Sequence, residues 1–240
     1  MGSCISVQKD PGSATKLPSP MKSKNEKEFW NWSWDELAFH DLPSVIDFVS
    51  KQTGQQIHYA GHSMGTLIAI ASLSEDKFRN VKSAALLSPV AYNYNVTSPV
   101  LIAGAKSFIG EIGQTFGISE FDPNGAEAIR YLVETICSLN NVKCDDLMTK
   151  LTGKNCCLNE TIVKDFLEDD LQPSSTKNMV HFSHGVRSGV VSKYDYGVGG
   201  NLLNYDSTQP PLYESYFLAR LSWVSLISDS LNKSDMIKYE

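Results

Sequence analysis

One stretch, residues 57–72 with the sequence IHYAGHSMGTLIAIAS, constrains the fold more than any other part of this chain. An apolar run rich in branched and aromatic residues leads into GHSMG at residues 61–65, and a run of small apolar residues follows. A strand, a sharp turn and a buried helix in this order are the setting in which G-x-S-x-G forms a nucleophile elbow. The sequence therefore predicts that Ser63 lies on the turn, with its hydroxyl projecting from the top of a sheet.

The residues on either side of Ser63 fit the chemistry of a nucleophilic serine. A side chain at Gly61 or Gly65 is expected to clash with the neighbouring strand and helix, and glycine tolerates the unusual backbone angles of such a turn. The N–H of Met64, at the start of the helix, can donate to a developing oxyanion with the help of the helix dipole. We therefore predict Ser63 as the nucleophile and Met64 as a backbone oxyanion donor; the alternative is an ordinary turn.

Composition and charge exclude several classes of protein. The 240 residues, 42% hydrophobic and 20% charged, suit one large globular domain or a core with an insertion. A net charge of −6 without a basic tract argues against nucleic acid as a partner. No apolar run is long enough to span a membrane, and the start of the chain shows no signal-peptide hydrophobic region. The sequence predicts no cofactor, and its cysteine and histidine spacings match no metal site.

The cysteines and the modification motifs leave the compartment open. A disulfide between Cys144 and Cys156 or Cys157 is expected in an oxidising compartment, and buried free thiols are the alternative. The opening MGSCIS matches the N-myristoylation pattern with Gly2 as acceptor, and Cys4 could be palmitoylated. Sequons for N-glycosylation favour a secretory route instead; they lie at Asn31, Asn95, Asn159 and Asn232.

The order of the predicted elements is typical of an α/β fold with a parallel sheet. Residues 1–28, which have almost nothing to bury, are expected to form a disordered leader. Ser33 and Glu36 form a capping-box pattern, and Pro43 suits the first turn of a second helix. Residues 81–90 predict the next buried strand after the elbow.

From about Ala91 the pattern becomes helical, as expected of a lid or cap inserted after a strand of the sheet. Helical spacing recurs at residues 129–136 and 162–167. His181 and His184 are expected on a helix as histidines of the cap, with a catalytic role as the alternative. Two further predictions follow from local pattern: a flexible turn at residues 197–200, and an amphipathic tail helix carrying Leu221, Val224, Ile227 and Leu231.

Two groups of motifs extend along most of the chain. The first group comprises residues 29–37 (FWNWSWDEL), 41–43 (DLP), 53–55 (TGQ), 58–66 (HYAGHSMGT) and 88–91 (SPVA). The second group comprises residues 176–179 (TKNM), 187–189 (RSG), 193–197 (KYDYG) and 209–213 (QPPLY). Together these motifs resemble the acid lipase family, which comprises the gastric and lysosomal acid lipases and their plant relatives. The similarity covers about residues 29–213 and is closest to the plant triacylglycerol lipase branch.

The resemblance implies a partial α/β-hydrolase fold, with a mostly parallel sheet and a helical cap insertion. The sequence is expected to divide into a disordered leader at residues 1–28, a core with the nucleophile elbow at 29–91, a helical cap at 92–205, and a return segment with a divergent tail at 206–240. The implied activity is that of a lipase or carboxylic ester hydrolase, which cleaves triacylglycerols or sterol esters at an interface through Ser63. The implied location is secreted, lysosomal or vacuolar, with membrane association through acylation at Gly2 or Cys4 as the alternative.

The chain departs from the family pattern at both ends. Members carry upstream strands and a His-Gly loop with a second oxyanion donor, where this chain has residues 1–28. They also carry a strand with the triad Asp and a loop with the triad His, patterns that residues 214–240 do not show. No histidine follows His184, although the order Ser, Asp, His places the base last. The chain is therefore expected to be truncated at both ends, and the alternative function is that of an inactive homologue or fragment that binds lipid or a partner.

Overall fold

The computed structural model describes residues 4–6, 27–87, 89–90, 96, 99–122, 173–213 and 224–227. The strands are β1 (Cys4–Ser6), β2 (Ile57–His62), β3 (Val81–Leu87), β4 (Glu120–Phe121), β5 (Ser174–Ser175) and β6 (Val224–Ile227). The helices are α1 (Trp34–Glu36), α2 (Leu42–Thr53), α3 (Met64–Ser74), α4 (Pro99–Lys106), α5 (Ile109–Thr115), α6 (Thr176–Ser188) and α7 (Gly197–Tyr205). The helices predicted at residues 129–136 and 162–167, and the cysteines between residues 137 and 157, lie outside the described residues.

The chain divides into two units. The first comprises Met1–Met21, Trp32–Asn93 and Val190–Glu240, and it contains the parallel sheet and Ser63. The second comprises Lys22–Asn31 and Tyr94–Gly189, and it contains α4, α5, α6 and the short antiparallel pair of β4 and β5. The second unit ends at Gly189, whereas the cap expected from the sequence extends to residue 205.

A helical segment precedes the elbow in the first unit. The Ser33 hydroxyl accepts a main-chain N–H of α1 at 3.2 Å, and the Glu36 carboxylate accepts the N–H of Ser33 at 2.6 Å, which completes a capping box. The helix continues through a π-helical stretch, Leu37–Asp41, into α2, with Pro43 in its first turn. It ends at Gly54, whose φ of 65° is the left-handed conformation that glycine adopts without strain. The predicted capping box and the position of Pro43 are confirmed.

Four strands form a parallel sheet in the order β1-β2-β3-β6 within the described residues. Along β2 the residues alternate between buried and exposed, with Ile57, Tyr59 and Gly61 on the buried side. The helix that follows, α3, is buried along its length from Thr66 to Leu73. Parallel strands joined through buried helices confirm the predicted α/β class.

Strand β1 differs from the expected disordered leader. The main chain of Cys4–Ser6 pairs in parallel with residues 58–60 of β2. An unpaired edge of β2 leaves a row of N–H and C=O groups open to pairing, and β1 satisfies them. The expectation of disorder is therefore wrong at Cys4–Ser6, and Lys27, also placed in the leader, begins the 3-10 helix Lys27–Trp30.

Strand β6 replaces part of the amphipathic helix predicted for the tail. Val224 pairs with Ala84 and Ile227 with Leu87, which extends the sheet beyond β3. A short apolar run can form either element, because periodicity alone does not separate a buried strand from a helix. The helix prediction is wrong at Val224 and Ile227, and Leu221 and Leu231 lie outside the described residues.

Helix α7 replaces the flexible turn predicted at residues 197–200. The helix begins at Gly197, whose N–H donates to Oδ1 of Asp195 at 2.8 Å. The same carboxylate oxygen accepts the Asn201 side-chain amide at 2.7 Å. These side-chain bonds hold the first turn in place, so the prediction of a flexible turn is wrong.

The described part of the second unit is held together around α6. The Ser175 hydroxyl accepts the N–H of Asn178 at 3.3 Å as the helix cap, and it donates to the carbonyl of Trp30 at 2.6 Å. Near the other end of α6, the Arg187 guanidinium donates to the carbonyl of Ala105 and to the carboxylate of Glu111. The predicted helix around His181 and His184 is thereby confirmed as α6.

Candidate active site

Ser63 lies at the carboxyl end of β2, between that strand and α3. Its backbone has a φ of 50° and a ψ of −117°, a conformation that L residues rarely adopt. Such a conformation costs about 1–3 kcal/mol and persists only where the surroundings fix it. Its N–H donates to the carbonyl of Leu87 at 3.1 Å, so the end of β3 helps to hold the turn. The predicted sharp turn is present at Ser63.

The Ser63 side chain is half-buried and makes no cap hydrogen bond to α3. Serine at the start of a helix commonly caps it through the hydroxyl. The strained backbone of Ser63 is therefore combined with a hydroxyl that does not serve as the helix cap. This combination suits a residue whose hydroxyl reacts.

Gly61 is required by direct steric contact with the turn. A Cβ at Gly61 would lie 2.9 Å from the carbonyl carbon of Gly65 and 2.7 Å from the ring carbon Cε1 of Tyr59. A Cβ at Gly65 would be 3.4 Å from the Tyr59 hydroxyl, which itself donates to the Gly65 carbonyl at 2.7 Å. The sequence predicts a clash for a side chain at either glycine. In the structure the clash is severe at Gly61 and mild at Gly65.

Thr66 is a supporting residue that the sequence analysis did not single out. Its side chain is fully buried, and its hydroxyl donates to the carbonyl of Ser63 at 2.6 Å. The same oxygen accepts the N–H of Val90, in the segment after β3, at 3.2 Å. One hydroxyl thus joins the elbow, α3 and the segment after β3. Its signal in the sequence is a threonine near the start of a mostly apolar helix.

Met64, expected as an oxyanion donor through its backbone, is the first residue of α3. The eleven residues of this helix give its amino end a partial positive charge, which favours a negative oxygen there. Met64 directly follows Ser63, the position from which an elbow donates its N–H to an oxyanion. The position of Met64 thus suits the role expected of it.

Four of the five histidines, all in the described part of the chain, lie in three different settings. His62 is exposed at the end of β2, and Nδ1 of His58 is 2.6 Å from the hydroxyl of Ser83. His181 and His184 belong to α6 of the second unit. There Nε2 of His184 lies 3.5 Å from the Glu111 carboxylate, which also pairs with Arg187.

Two other kinds of site are absent from the described part of the chain. No three His, Cys, Asp or Glu side chains are grouped so that they could hold a metal ion there. Over the same residues, no helix has the length and apolar character needed to cross a membrane.

Several curated proteins with sequences similar to this chain are named as lipases. Triacylglycerol lipase 2 of Arabidopsis thaliana is 42% identical over 191 residues, covering 79% of this chain and 46% of that protein. Gastric triacylglycerol lipase of Homo sapiens is 32% identical, covering 80% and 49%. Lysosomal acid lipase/cholesteryl ester hydrolase of Homo sapiens is 33% identical, again covering 80% and 49%. The chain spans about half the length of the curated relatives it matches.

No family model matches the chain. Among solved structures, a carboxyl esterase from Bacillus coagulans is similar with a TM-score of 0.37 and 12% sequence identity, over 82% of this chain and 64% of that chain. These sequence similarities identify the chain, over about half the length of its relatives, as a homologue of the gastric, lysosomal and plant lipases that make up the acid lipase family.

Proposed function

We propose that this chain carries the nucleophile of a serine ester hydrolase that cleaves lipid acyl esters, either triacylglycerols or sterol esters. The observation that carries the proposal is the backbone of Ser63, held at a φ of 50° between β2 and α3. The names of the relatives, triacylglycerol lipase and cholesteryl ester hydrolase, support the substrate class.

In the proposed reaction Oγ of Ser63 attacks the ester carbonyl carbon and gives up its proton to a general base. The oxyanion forms beside the N–H of Met64, at the positive end of the α3 dipole. The alcohol leaves with a proton, and water then hydrolyses the acyl-serine to release the fatty acid. A serine hydroxyl is a weak nucleophile without a base, so the experiment must also ask whether a base is present.

The test is labelling of the purified chain with a fluorophosphonate probe, together with hydrolysis of a short-chain nitrophenyl ester. Wild-type chain is compared with Ser63→Ala, and Ser74→Ala serves as the matched control because Ser74 is a half-buried serine at the other end of α3. We expect labelling and turnover in the wild type and in Ser74→Ala, and a loss of about 1,000-fold or more in Ser63→Ala.

A folded wild-type chain that is neither labelled nor active would overturn the proposal. That result favours the alternative, a homologue that binds lipid or a partner without catalysis. If Ser63 does react, His181→Ala and His184→Ala are the next variants, and their labelling rates are compared with that of the wild type at equal folded fraction.

We further propose the secreted or lysosomal location that the names of the human relatives indicate. Asn31, the acceptor of one sequon, is exposed, although the Ser33 that completes the sequon is buried. Sensitivity of the cell-expressed chain to an N-glycosidase, lost in Asn31→Gln, would support this route. Incorporation of a myristate analogue, lost in Gly2→Ala, would instead support acylation as the membrane anchor.

A further inference from the structure

One peptide unit joins the two residues on which the proposed reaction depends. It carries the carbonyl of Ser63 and the N–H of Met64, and the peptide bonds in the described part of the chain are all trans. In a planar trans unit the C=O and the N–H point in opposite directions. Whatever fixes the direction of the Ser63 carbonyl therefore also fixes the direction of the Met64 N–H.

The Ser63 carbonyl accepts two hydrogen bonds from a single residue. The Thr66 hydroxyl donates to it at 2.6 Å, and the Thr66 N–H donates to it at 2.9 Å. Because Thr66 lies in the first turn of α3, the carbonyl points into the helix, and the N–H of Met64 points back past the amino end of the helix. A negative oxygen is favoured at that end of a helix.

The direction of the Thr66 hydroxyl is fixed by a second partner. A hydroxyl has one hydrogen to donate and lone pairs with which it accepts. The N–H of Val90 donates to Oγ1 of Thr66 at 3.2 Å, which leaves the hydroxyl hydrogen for the Ser63 carbonyl. The Thr66 side chain is fully buried, so bulk water does not compete for either bond.

Both peptide units that flank Ser63 are tied to the region at the end of β3. The N–H of Ser63 donates to the carbonyl of Leu87 at 3.1 Å. Its carbonyl is joined to Val90 through the Thr66 hydroxyl. These bonds hold the backbone at a φ of 50° and a ψ of −117°. Loss of the Thr66 hydroxyl removes a restraint on ψ, and a change in ψ rotates the Met64 N–H.

The same bonds strengthen the Met64 N–H as a donor. Hydrogen bonds that follow one another polarise each other, by about 10–30% per bond. The Val90 N–H donates to the Thr66 hydroxyl, which in turn donates to the Ser63 carbonyl. The peptide unit passes this polarisation on to the N–H of Met64, which becomes a better donor to a negative oxygen.

We propose that Thr66 is a positioning residue, which orients and polarises the oxyanion-donating N–H of Met64 through the shared peptide unit. The inference rests on the proposed function, since an oxyanion forms there only when Ser63 attacks an ester. The hydrogen bonds that it invokes exist in the resting chain. They can therefore be measured without any reaction at Ser63.

The first test observes this peptide unit directly by NMR. Ser63 and Met64 form the single Ser-Met pair in the sequence. A chain that is isotope-labelled at the serine carbonyl carbon and the methionine amide nitrogen therefore gives one carbonyl–amide cross-peak. In Thr66→Val the carbonyl carbon and the amide nitrogen should both move to lower frequency, because the carbonyl loses a hydrogen-bond donor. Thr66→Ser keeps the hydroxyl and should return the cross-peak to its wild-type position.

Tyr59→Phe is the comparison variant, because it separates this role from simple support of the turn. The Tyr59 hydroxyl donates to the carbonyl of Gly65 at 2.7 Å, so it belongs to the same turn but bonds a different peptide unit. Its loss should lower stability, as the loss of the Thr66 hydroxyl does. The cross-peak should nevertheless move much less in Tyr59→Phe than in Thr66→Val.

The second test is ester hydrolysis at equal folded fraction. Thr66→Val should lower kcat by about tenfold with KM unchanged, because the oxyanion exists only in the transition state and loss of a whole donor costs about 100-fold or more. Tyr59→Phe should lower kcat less than Thr66→Val does. Thr66→Ala, which removes the hydroxyl and introduces the best helix former, should reproduce the displaced cross-peak and the lower kcat, so a Thr66→Val chain that fails to fold leaves the test intact.

The proposal is overturned if the cross-peak keeps its wild-type position in a folded Thr66→Val or Thr66→Ala chain, or if Tyr59→Phe displaces it as far. It is also overturned if kcat falls no further in the Thr66 variants than in Tyr59→Phe. A wild-type chain that is folded but inactive counts against the proposed function alone, because the cross-peak still reports whether Thr66 holds the peptide unit.

Discussion

The hydroxyl of Tyr213 donates a hydrogen bond of 2.6 Å to Oδ1 of Asp35, a residue 178 positions earlier in the chain. The second carboxylate oxygen of Asp35 accepts the N–H of Tyr194 at 2.8 Å. Asp35 is buried, and the rings of Trp34 and Tyr213 lie 5.3 Å apart beside it. One carboxylate therefore binds α1 to both flanks of the segment that carries α7.

Asp35→Asn should destabilise the chain by about 1–3 kcal/mol, because the amide places an NH2 group against the main-chain N–H of Tyr194 or against the Tyr213 hydroxyl. The free energy of unfolding in urea measures the loss. Asp206→Asn is the matched control, since Asp206 is exposed and its left-handed backbone suits asparagine. Equal stability of Asp35→Asn and Asp206→Asn would show that the buried carboxylate contributes nothing.

Two buried phenols should make the chain less stable in alkali. Burial raises the pKa of Tyr59, and burial together with the Asp35 carboxylate raises the pKa of Tyr213. In the unfolded chain both ionise near pH 10. Each phenol has a higher pKa in the folded chain than in the unfolded chain. The free energy of unfolding therefore keeps its full value below about pH 10 and falls above it, by up to about 1.4 kcal/mol per pH unit for each phenol.

Urea unfolding between pH 8 and pH 11.5 measures this slope. Tyr59→Phe and Tyr213→Phe should each flatten it, whatever their effect at neutral pH. A slope that is the same in the wild type and in the double variant would contradict the assignment of alkaline sensitivity to these two residues.

Local patterns predicted the elbow and the helix ends, because each depends on residues close together in sequence. The turn at Ser63 needs only the strand before it, the helix after it and Gly61. The capping box joins Ser33 to Glu36 within one helical turn. Such features can be recognised without knowledge of the rest of the fold.

The features that sequence reasoning missed depend on distant partners. Asp35 finds Tyr194 and Tyr213 only after the chain returns, 159 and 178 residues later. Val224 pairs with a strand about 140 residues earlier, and this pairing outweighs the helical spacing of its neighbours. The helix at Gly197 depends on the carboxylate of Asp195, and a glycine-rich pattern alone indicates a turn.

Gly61→Ala should destabilise the first unit by about 1–3 kcal/mol, because the new Cβ meets the backbone of Gly65 and the ring of Tyr59 below 3.0 Å. Gly65→Ala should cost less, since its nearest contact is the Tyr59 hydroxyl at 3.4 Å. Gly199→Ala is the control: its Cβ lies in open space in a helix, so it should leave stability unchanged or raise it by up to about 1 kcal/mol. Thermal unfolding ranks the three variants, and a Gly61→Ala chain as stable as Gly65→Ala would contradict the steric account.

Thr66→Val should loosen the elbow without changing the volume of the side chain. Valine cannot donate to the Ser63 carbonyl or accept the N–H of Val90, so stability should fall by about 1–3 kcal/mol. The rate of fluorophosphonate labelling at Ser63 should fall too, because the strained turn loses a support. Thr66→Ser keeps the hydroxyl and should recover most of the labelling rate. Thr53→Val, which removes an exposed hydroxyl from α2, should change neither the stability nor the labelling rate by much. A Thr66→Val chain that labels as fast as this control would show that the turn holds its shape without the Thr66 hydroxyl.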